Sequence, residues 1–348
     1  MTLLTNRGNL KSKTITNQVL IDKRTHKVVK YWQKKGFPYI NNSKKYRQYK
    51  FYSFLKVDDM KSLDFNNRTF KFNNAGLSLA NSYHPHAFEV RCNDLKSPID
   101  VFNDDVTFSN GVRKVLTGSF FQKRSYEELM VQTDQSKQII RSILRRVTGS
   151  QMVSNFRPVT ASMLYKLFCD KNDTVWDMSC GWGGRLLASV KAKVNYIGTD
   201  PGTQTQKGLG QMIKTFGDKA YNYELLTMGS EEYRPTKNSL DFAFTSPPYF
   251  DCEKYSDEKT QSYLKYSNIN TWKEGFLRKT IKNVHYGLKP NHFMALNVAN
   301  VKSYETFEKD TKTIAKEVGF KLVDTFDLRL SSQQAEFKSE PIFIFKKV

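Results

Sequence analysis

The chain has 348 residues, enough to bury one large core or two modest ones. Its 55 Lys and Arg against 34 Asp and Glu leave a net charge of +21, an excess that points to a polyanionic partner. Cys92, Cys169, Cys180 and Cys252 form no C-x-x-C pair, the five histidines are scattered, no apolar run could span a bilayer, and the start Met1-Thr-Leu-Leu-Thr lacks a signal-peptide core. A disulfide framework, a metal site and a membrane partner are therefore not expected, and a cytoplasmic protein with reduced thiols is.

Residues 23–57 contain no acid but eleven Lys or Arg and nine aromatics, a mixture that can neutralise phosphates and either stack on bases or pack a small core. Within it, Tyr46-Arg-Gln-Tyr-Lys-Phe-Tyr-Ser-Phe54 alternates as a strand does. The expectation is a basic, strand-containing region with aromatics inward and lysines outward, and Lys44, Lys45, Arg47 and Lys50 are its candidate nucleic-acid contacts. Residues 60–120 are turn-rich and read as several short strands. His84-Pro-His86, with no Cys or acid ligand nearby, reads as a loop rather than a metal site. Residues 125–147 read as one helix, acids early and bases late, as the helix dipole favours.

From residue 150 onward strands and helices alternate, the pattern of a doubly wound α/β sheet. Helices are expected over 159–168, from 185, over 272–286 with a stop at Gly287-Leu-Lys-Pro290, and over 304–318 with a stop at Gly319. Strands are expected over 175–178, 196–198, 224–228, 240–244, 293–298, 321–327 and 341–345. The chain thus divides into a basic region, 1–149, that suits nucleic-acid binding, and a second domain, 150–348.

Two stretches carry chemistry. Thr174-Val-Trp-Asp-Met-Ser-Cys-Gly-Trp-Gly-Gly-Arg185 reads as strand, glycine turn and helix start, and Val194-Asn-Tyr-Ile-Gly-Thr-Asp200 as a second strand ending in an acid. It is not the dinucleotide fingerprint, because Leu186 stands where the third glycine would be. Further on, the apolar run from Asp241 ends in Thr245-Ser246-Pro247-Pro248-Tyr249. Two adjacent prolines can neither continue a ladder nor open an ordinary helix, so the chain turns stiffly there. The turn presents a hydroxyl, a proline carbonyl and an aromatic face together.

On these motifs residues 150–348 resemble the S-adenosylmethionine-dependent DNA amino-methyltransferases, which act on cytosine N-4 or adenine N-6. The resemblance implies a Rossmann-like seven-stranded methyltransferase core with a closing antiparallel pair. It implies that Ser179, Cys180, Gly181, Trp182 and Gly183 surround the methionine moiety of the donor, and that Asp177 meets its ammonium directly or through water. Asp200 would hold the ribose hydroxyls, and Ser230 or Glu231 would lie near the adenine amino group. Ser154-Asn-Phe-Arg-Pro158 is similar to the family's extra donor motif, with Phe156 against the cofactor and Pro158 capping the next helix. The donor motifs precede the catalytic motif, as in alpha- and gamma-like members.

The resemblance makes Ser246, Pro247, Pro248 and Tyr249 the catalytic motif. An exocyclic amine is a poor nucleophile because its lone pair is delocalised into the ring, and it cannot be usefully deprotonated near neutral pH. Acceptors at the Ser246 hydroxyl and Pro247 carbonyl would orient it, with positioning as the main contribution and no covalent intermediate. Tyr249 would stack on a base flipped out of duplex DNA. Ser at the first position leans toward cytosine over adenine. The core has no long recognition insertion, so recognition falls to the N-terminal region, and the polar loop 250–271, with Tyr255, Tyr263, Tyr266, Asp251, Glu253 and Asp257, would close over the base. The alternatives are an RNA base methyltransferase of the guanine N-2 type and a non-catalytic nucleic-acid binder on the same fold. A restriction endonuclease partner is compatible with such an enzyme, and neither it nor the oligomeric state is specified.

Overall fold

The computed structural model describes residues 5–119, 122–330 and 338–348, with only the backbone for 5–16. The chain forms two compact units, Met1–Asn41 with Phe88–Val153, and Asn42–Ala87 with Ser154–Val348. The expected boundary near 150 is close to the start of the main sheet segment. Residues 42–87, however, belong with the sheet and not with the rest of the N-terminal region.

The first unit is helical. Its core is built by Val28, Trp32, Val101, Phe108, Val112, Ile140 and Ile143 from the helices Thr5–Lys35, Pro98–Asn103, Asp105–Thr117 and Asp134–Arg146. The Trp32 indole N–H donates to the Leu129 carbonyl at 2.8 Å, which satisfies a polar atom buried inside that core. Where short strands were expected, Ser97 caps one helix through a reciprocal capping box with Asp100, and Asp104 caps the next by accepting from the amides of Val106 and Thr107. The helix expected over 125–147 is two, Tyr126–Leu129 and Asp134–Arg146, because Thr133 starts a fresh capping box with Ser136.

The second unit is a Rossmann-like α/β fold. Its seven main strands, in chain order, are Thr174–Asp177, Asn195–Thr199, Tyr223–Leu226, Leu240–Thr245, Leu288–Asn297, Phe320–Arg329 and Ser339–Lys347. Across the sheet they run third, second, first, fourth, fifth, seventh, sixth. All neighbours pair in parallel except the seventh strand, which is antiparallel to both the fifth and the sixth. A short hairpin, Leu63–Asp64 with Thr69–Phe70, extends the sheet to nine strands by pairing Thr69 and Phe70 alongside Asp327 and Leu328. The fourth strand is buried throughout, as a central parallel strand must be.

Residues 42–87 are anchored to this sheet by a buried carboxylate. Asp59 takes Lys191 at 2.6 Å, Lys166 at 2.9 Å and the Ser162 hydroxyl at 2.8 Å. A carboxylate removed from water needs such partners. The strand expected at 46–54 is instead the helix Lys44–Leu55, capped by Ser43. Its aromatics serve a helical period: Phe54 is buried, Phe51 stacks on Phe216 at 4.3 Å, and Val57 packs beside them. The period-two appearance came from Tyr49 and Tyr52, which are 66% and 62% exposed.

A helix absent from the sequence reading, Thr203–Phe216, joins the second and third strands. Gly208 and Gly210 weaken its helical signal. Gly208 is there for space, since a side chain would collide with the His84 ring. His84 lies in the loop after the helix Leu77–Asn81, as expected, but it is fully buried there, and neither ring nitrogen has a hydrogen-bond partner. Burial pushes its pKa down to about 3, with His86 and Arg47 adding like charge. Among the described residues no helix is long and apolar enough to cross a membrane, and no group of three or more His, Cys, Asp or Glu could hold a metal ion.

Candidate active site

The order of the strands reverses between the first and the fourth, which pair directly through Val175 with Phe242 and Trp176 with Ala243. In open α/β sheets the crevice at such a switch point, beyond the carboxyl ends of the strands, is where ligands bind. Both singled-out motifs emerge there. The glycine turn leaves the first strand after Asp177, and the Ser246-Pro247-Pro248-Tyr249 turn leaves the fourth after Thr245. The Ser179 backbone N–H donates to the Thr245 hydroxyl at 3.1 Å, which ties one turn to the other.

Asp177 is clamped within the protein. Its fully buried carboxylate receives Arg185 Nε at 2.8 Å, the Tyr196 hydroxyl at 2.7 Å and the Thr245 hydroxyl at 3.1 Å. The Arg185 guanidinium also donates to the Ser179 carbonyl. Arg185 is held well above its usual range by the Asp177 charge, against the desolvation that burial imposes. This buried ion pair fastens the glycine turn to the helix Gly184–Ala192. With these partners Asp177 orders the loop from beneath.

The glycines divide by what surrounds them. A Cβ on Gly183 would meet Met212 Sδ at 2.7 Å and Leu209 at 2.9 Å, so this glycine exists for helix packing. Gly184 lies against the Phe156 carbonyl. Gly181 alone of the three opens onto free space, with a φ of +49° that disfavours any side chain. Its N–H donates to Asp200 Oδ2 at 3.0 Å, and the other carboxylate oxygen takes the Gly202 N–H at 2.9 Å. Each oxygen keeps a lone pair, and the residue stands at the end of the second strand, so Asp200 fits a hydroxyl-bearing sugar. Burial pushes its pKa up to about 6, opposed by the two glycine amides.

The other expected donor contacts are mostly committed to the protein. Phe156 is buried, edge-on to Phe244 at 5.1 Å and beneath the Arg185 guanidinium. Pro158 occupies the first turn of the helix Pro158–Phe168, as expected. Cys180 is buried and its thiol is pushed well up by burial. The Ser230 hydroxyl is paired with Thr280 at 2.8 Å, and Glu231 is held by Lys265 at 2.7 Å and the Tyr266 hydroxyl at 3.3 Å. Both bonds to Glu231 fall on Oε1, and its buried Oε2 has no hydrogen-bond partner. Trp182 meets Tyr255 edge-on at 6.0 Å, and its carbonyl accepts from Asn155 at 3.0 Å.

At the proline turn, Pro247 is buried, and Ser246 and Pro248 are half-buried. Phe250, next along, is buried with a φ of +56°, a left-handed conformation that costs a bulky residue roughly 1–2 kcal/mol. Tyr249 is not a free platform. Its ring packs edge-on to Phe307 at 5.5 Å, and its hydroxyl lies 3.3 Å from Glu340 and 3.4 Å from the Asn297 carbonyl.

The sequence reading missed Arg185, Tyr196 and Thr245 as the clamp on Asp177, and Glu340 and Asn297 as the support for Tyr249. Glu340 arrives on the last strand, so no local signal could have found it. Of the candidate DNA contacts, Lys44 and Lys45 are exposed and Lys50 is half-buried beside Tyr46 and Tyr49. Arg47 is spent within the fold. It donates to the Ser82 hydroxyl and carbonyl at 3.0 and 2.6 Å and lies over the Tyr83 ring.

The fold and the two turns define a class, a Rossmann-like α/β core with a ligand crevice at its switch point. No family model matches the chain, and no curated protein matches it. Among solved structures it is similar to a SAM-dependent methyltransferase from Methanosarcina mazei, at 13% identity and a TM-score of 0.39, over 53% of this chain and 97% of that one. It is similar to the magnesium protoporphyrin IX methyltransferase from Synechocystis PCC 6803 with bound SAM, at 14% and 0.39, over 54% and 76%. A methyltransferase from Pyrococcus furiosus matches at 16% and 0.38, over 55% and 82%. Likenesses of that strength fix no function.

Proposed function

We propose that this protein is an S-adenosylmethionine-dependent methyltransferase acting on the exocyclic amino group of a DNA base, cytosine N-4 ahead of adenine N-6. The observation that carries the reading is the hydrogen bond from Ser179 N–H to the Thr245 hydroxyl at 3.1 Å, which sets the glycine turn beside the Ser-Pro-Pro-Tyr turn at the switch point. The donor, when bound, supplies an electrophilic methyl group. Asp200 holds its ribose hydroxyls, Gly181 leaves room for it, and Ser179 and Trp182 border it. Ser246 and the Pro247 carbonyl accept from the target amine and aim its lone pair. Tyr249, fixed by Phe307 and Glu340, acts as a rigid wall for the base rather than a movable stacking platform. The net charge of +21 and the helix that exposes Lys44, Lys45, Tyr49 and Tyr52 suit a phosphate backbone with unstacked bases.

The test supplies labelled donor with duplex DNA, single-stranded DNA or RNA, digests the product to nucleosides and identifies the labelled base. The expected product is N4-methylcytosine in DNA. N2-methylguanine in RNA, or no transfer to any nucleic acid, would overturn the reading.

A further inference from the structure

The segment 250–271 leaves the fourth strand through the proline turn, yet its side chains reach the glycine-turn side of the crevice. Tyr255 meets Trp182, in the turn after the first strand, edge-on at 6.0 Å. Glu258 accepts from the Thr203 N–H at 3.2 and 3.3 Å and from the Thr203 hydroxyl at 3.2 Å, beyond the second strand. Lys265 and the Tyr266 hydroxyl donate to Glu231, beyond the third strand, at 2.7 and 3.3 Å. Successive residues of the segment are thus fastened beyond the carboxyl ends of the first, second and third strands, in the order in which those strands lie outward across the sheet. The first two fastenings flank the Gly181–Asp200 hydrogen bond. Trp182 follows Gly181, and Gly202, whose N–H is bonded to Asp200, precedes Thr203. The middle fastening also serves the helix Thr203–Phe216, which starts from a glycine with no capping side chain and has no acid in its first turn. Glu258 takes its first orphan amide and sets a negative charge at the positive end of the helix dipole.

We propose that the segment 250–271 is the lid of the donor site and that Glu258 is its latch, so that the donor enters and leaves when the Glu258–Thr203 bonds open. The inference rests on the methyltransferase reading and adds to it the residue that governs donor exchange. The three fastenings differ in what it takes to undo them. Glu231 is buried beneath Lys265, and a buried ion pair is costly to separate. Thr203 is exposed and Glu258 half-buried, and Glu258 forms no ion pair among the described residues. Its bonds to Thr203 can therefore pass to water without disturbing the core. Closure over the donor keeps water from its reactive methyl group, and the opening of such a lid sets the rate at which ligand is exchanged.

The experiment loads wild type, Glu258→Ala and Thr203→Val with labelled S-adenosylhomocysteine and follows its release into an excess of unlabelled compound. In parallel, trypsin cleavage is followed at the exposed Lys254 and Lys259, with and without the ligand. Glu258→Ala should release the ligand about tenfold faster, the loss of a charge-assisted hydrogen bond. Thr203→Val keeps the amide and loses only the hydroxyl, so its release should fall between the other two. Bound ligand should slow cleavage at both lysines in wild type and slow it less in Glu258→Ala, a response that a merely structural role for Glu258 would not produce. Release from Glu258→Ala as slow as from wild type, or wild-type cleavage that the ligand does not slow, would overturn the inference and leave the methyltransferase reading standing. A wild type that binds no S-adenosylhomocysteine would overturn both.

Discussion

At the glycine turn Asp177 receives a guanidinium and two hydroxyls, and the loop above it is locked from below. At the proline turn, on the adjacent strand, Glu253 has a phenol and a second carboxyl for neighbours, and Phe250 sits in a left-handed conformation. The first turn spends its polar groups on its own backbone. The second carries its backbone strain at Phe250. The contrast separates a turn whose acid is tied down by several side chains from one whose acid has a phenol as its hydrogen-bond partner.

The most disruptive way to test the contrast is to remove the cation beneath the glycine turn. Arg185→Leu would leave Asp177 buried without its cation, and breaking such a pair costs about 3–5 kcal/mol. Denaturant unfolding should show that loss. Unchanged stability with lost S-adenosylhomocysteine affinity would mean that Asp177 serves the ligand after all.

The second test is at the proline turn. Ser246→Ala should lower the rate of transfer by on the order of a hundredfold, the cost of losing one orienting group at the reacting centre. Donor affinity by calorimetry and the unfolding midpoint should both stay near wild type. Loss of stability comparable to that of Arg185→Leu would place the two turns in one structural class and erase the contrast.

A third test asks whether the exposed lysines of the helix Lys44–Leu55 serve the substrate side. Replacing Lys44, Lys45 and Lys50 with Ala should flatten the salt dependence of DNA affinity by roughly one log unit per log unit of salt for each phosphate no longer neutralised. Arg47→Ala should instead lower stability, because Arg47 holds Ser82 and covers Tyr83. Parallel salt slopes would move DNA binding elsewhere on the protein.

The smallest expected effect is a pH dependence at Asp200. Its folded-state pKa is raised to about 6, so the folded protein holds a proton there that the unfolded chain releases at lower pH. Its contribution to stability is therefore full below the unfolded value near 4 and declines as pH rises through about 6. Donor binding should run the opposite way. S-adenosylhomocysteine affinity should rise severalfold as Asp200 ionises, since a carboxylate accepts from ribose hydroxyls better than an acid does. In Asp200→Asn that rise should vanish.

Much of the sheet unit was legible because its signals are local. The apolar run ending at Thr245, the Gly181–Gly184 turn and the stops at Gly287 and Gly319 depend on backbone geometry that a few adjacent residues dictate. Strand positions from 174 onward followed from the same alternation, and the order of motifs was enough to put both turns at one end of the sheet. The helix Lys44–Leu55 was misread because exposed tyrosines mimicked a strand's alternation, and only packing against Phe216 shows which aromatics face inward. The helix Thr203–Phe216 went unseen because Gly208, needed for space beside His84, masks its period. Tertiary structure alone decided which carboxylates are occupied. Asp177, Asp200, Glu231 and Glu253 look alike as sequence, and what distinguishes them is the partner the fold brings: Arg185 and Tyr196 for the first, two glycine amides for the second, Lys265 for the third, and the nearby Tyr255 hydroxyl for the fourth. A charge in a poorly solvated site takes its role from its nearest partner, and that partner is chosen by the fold.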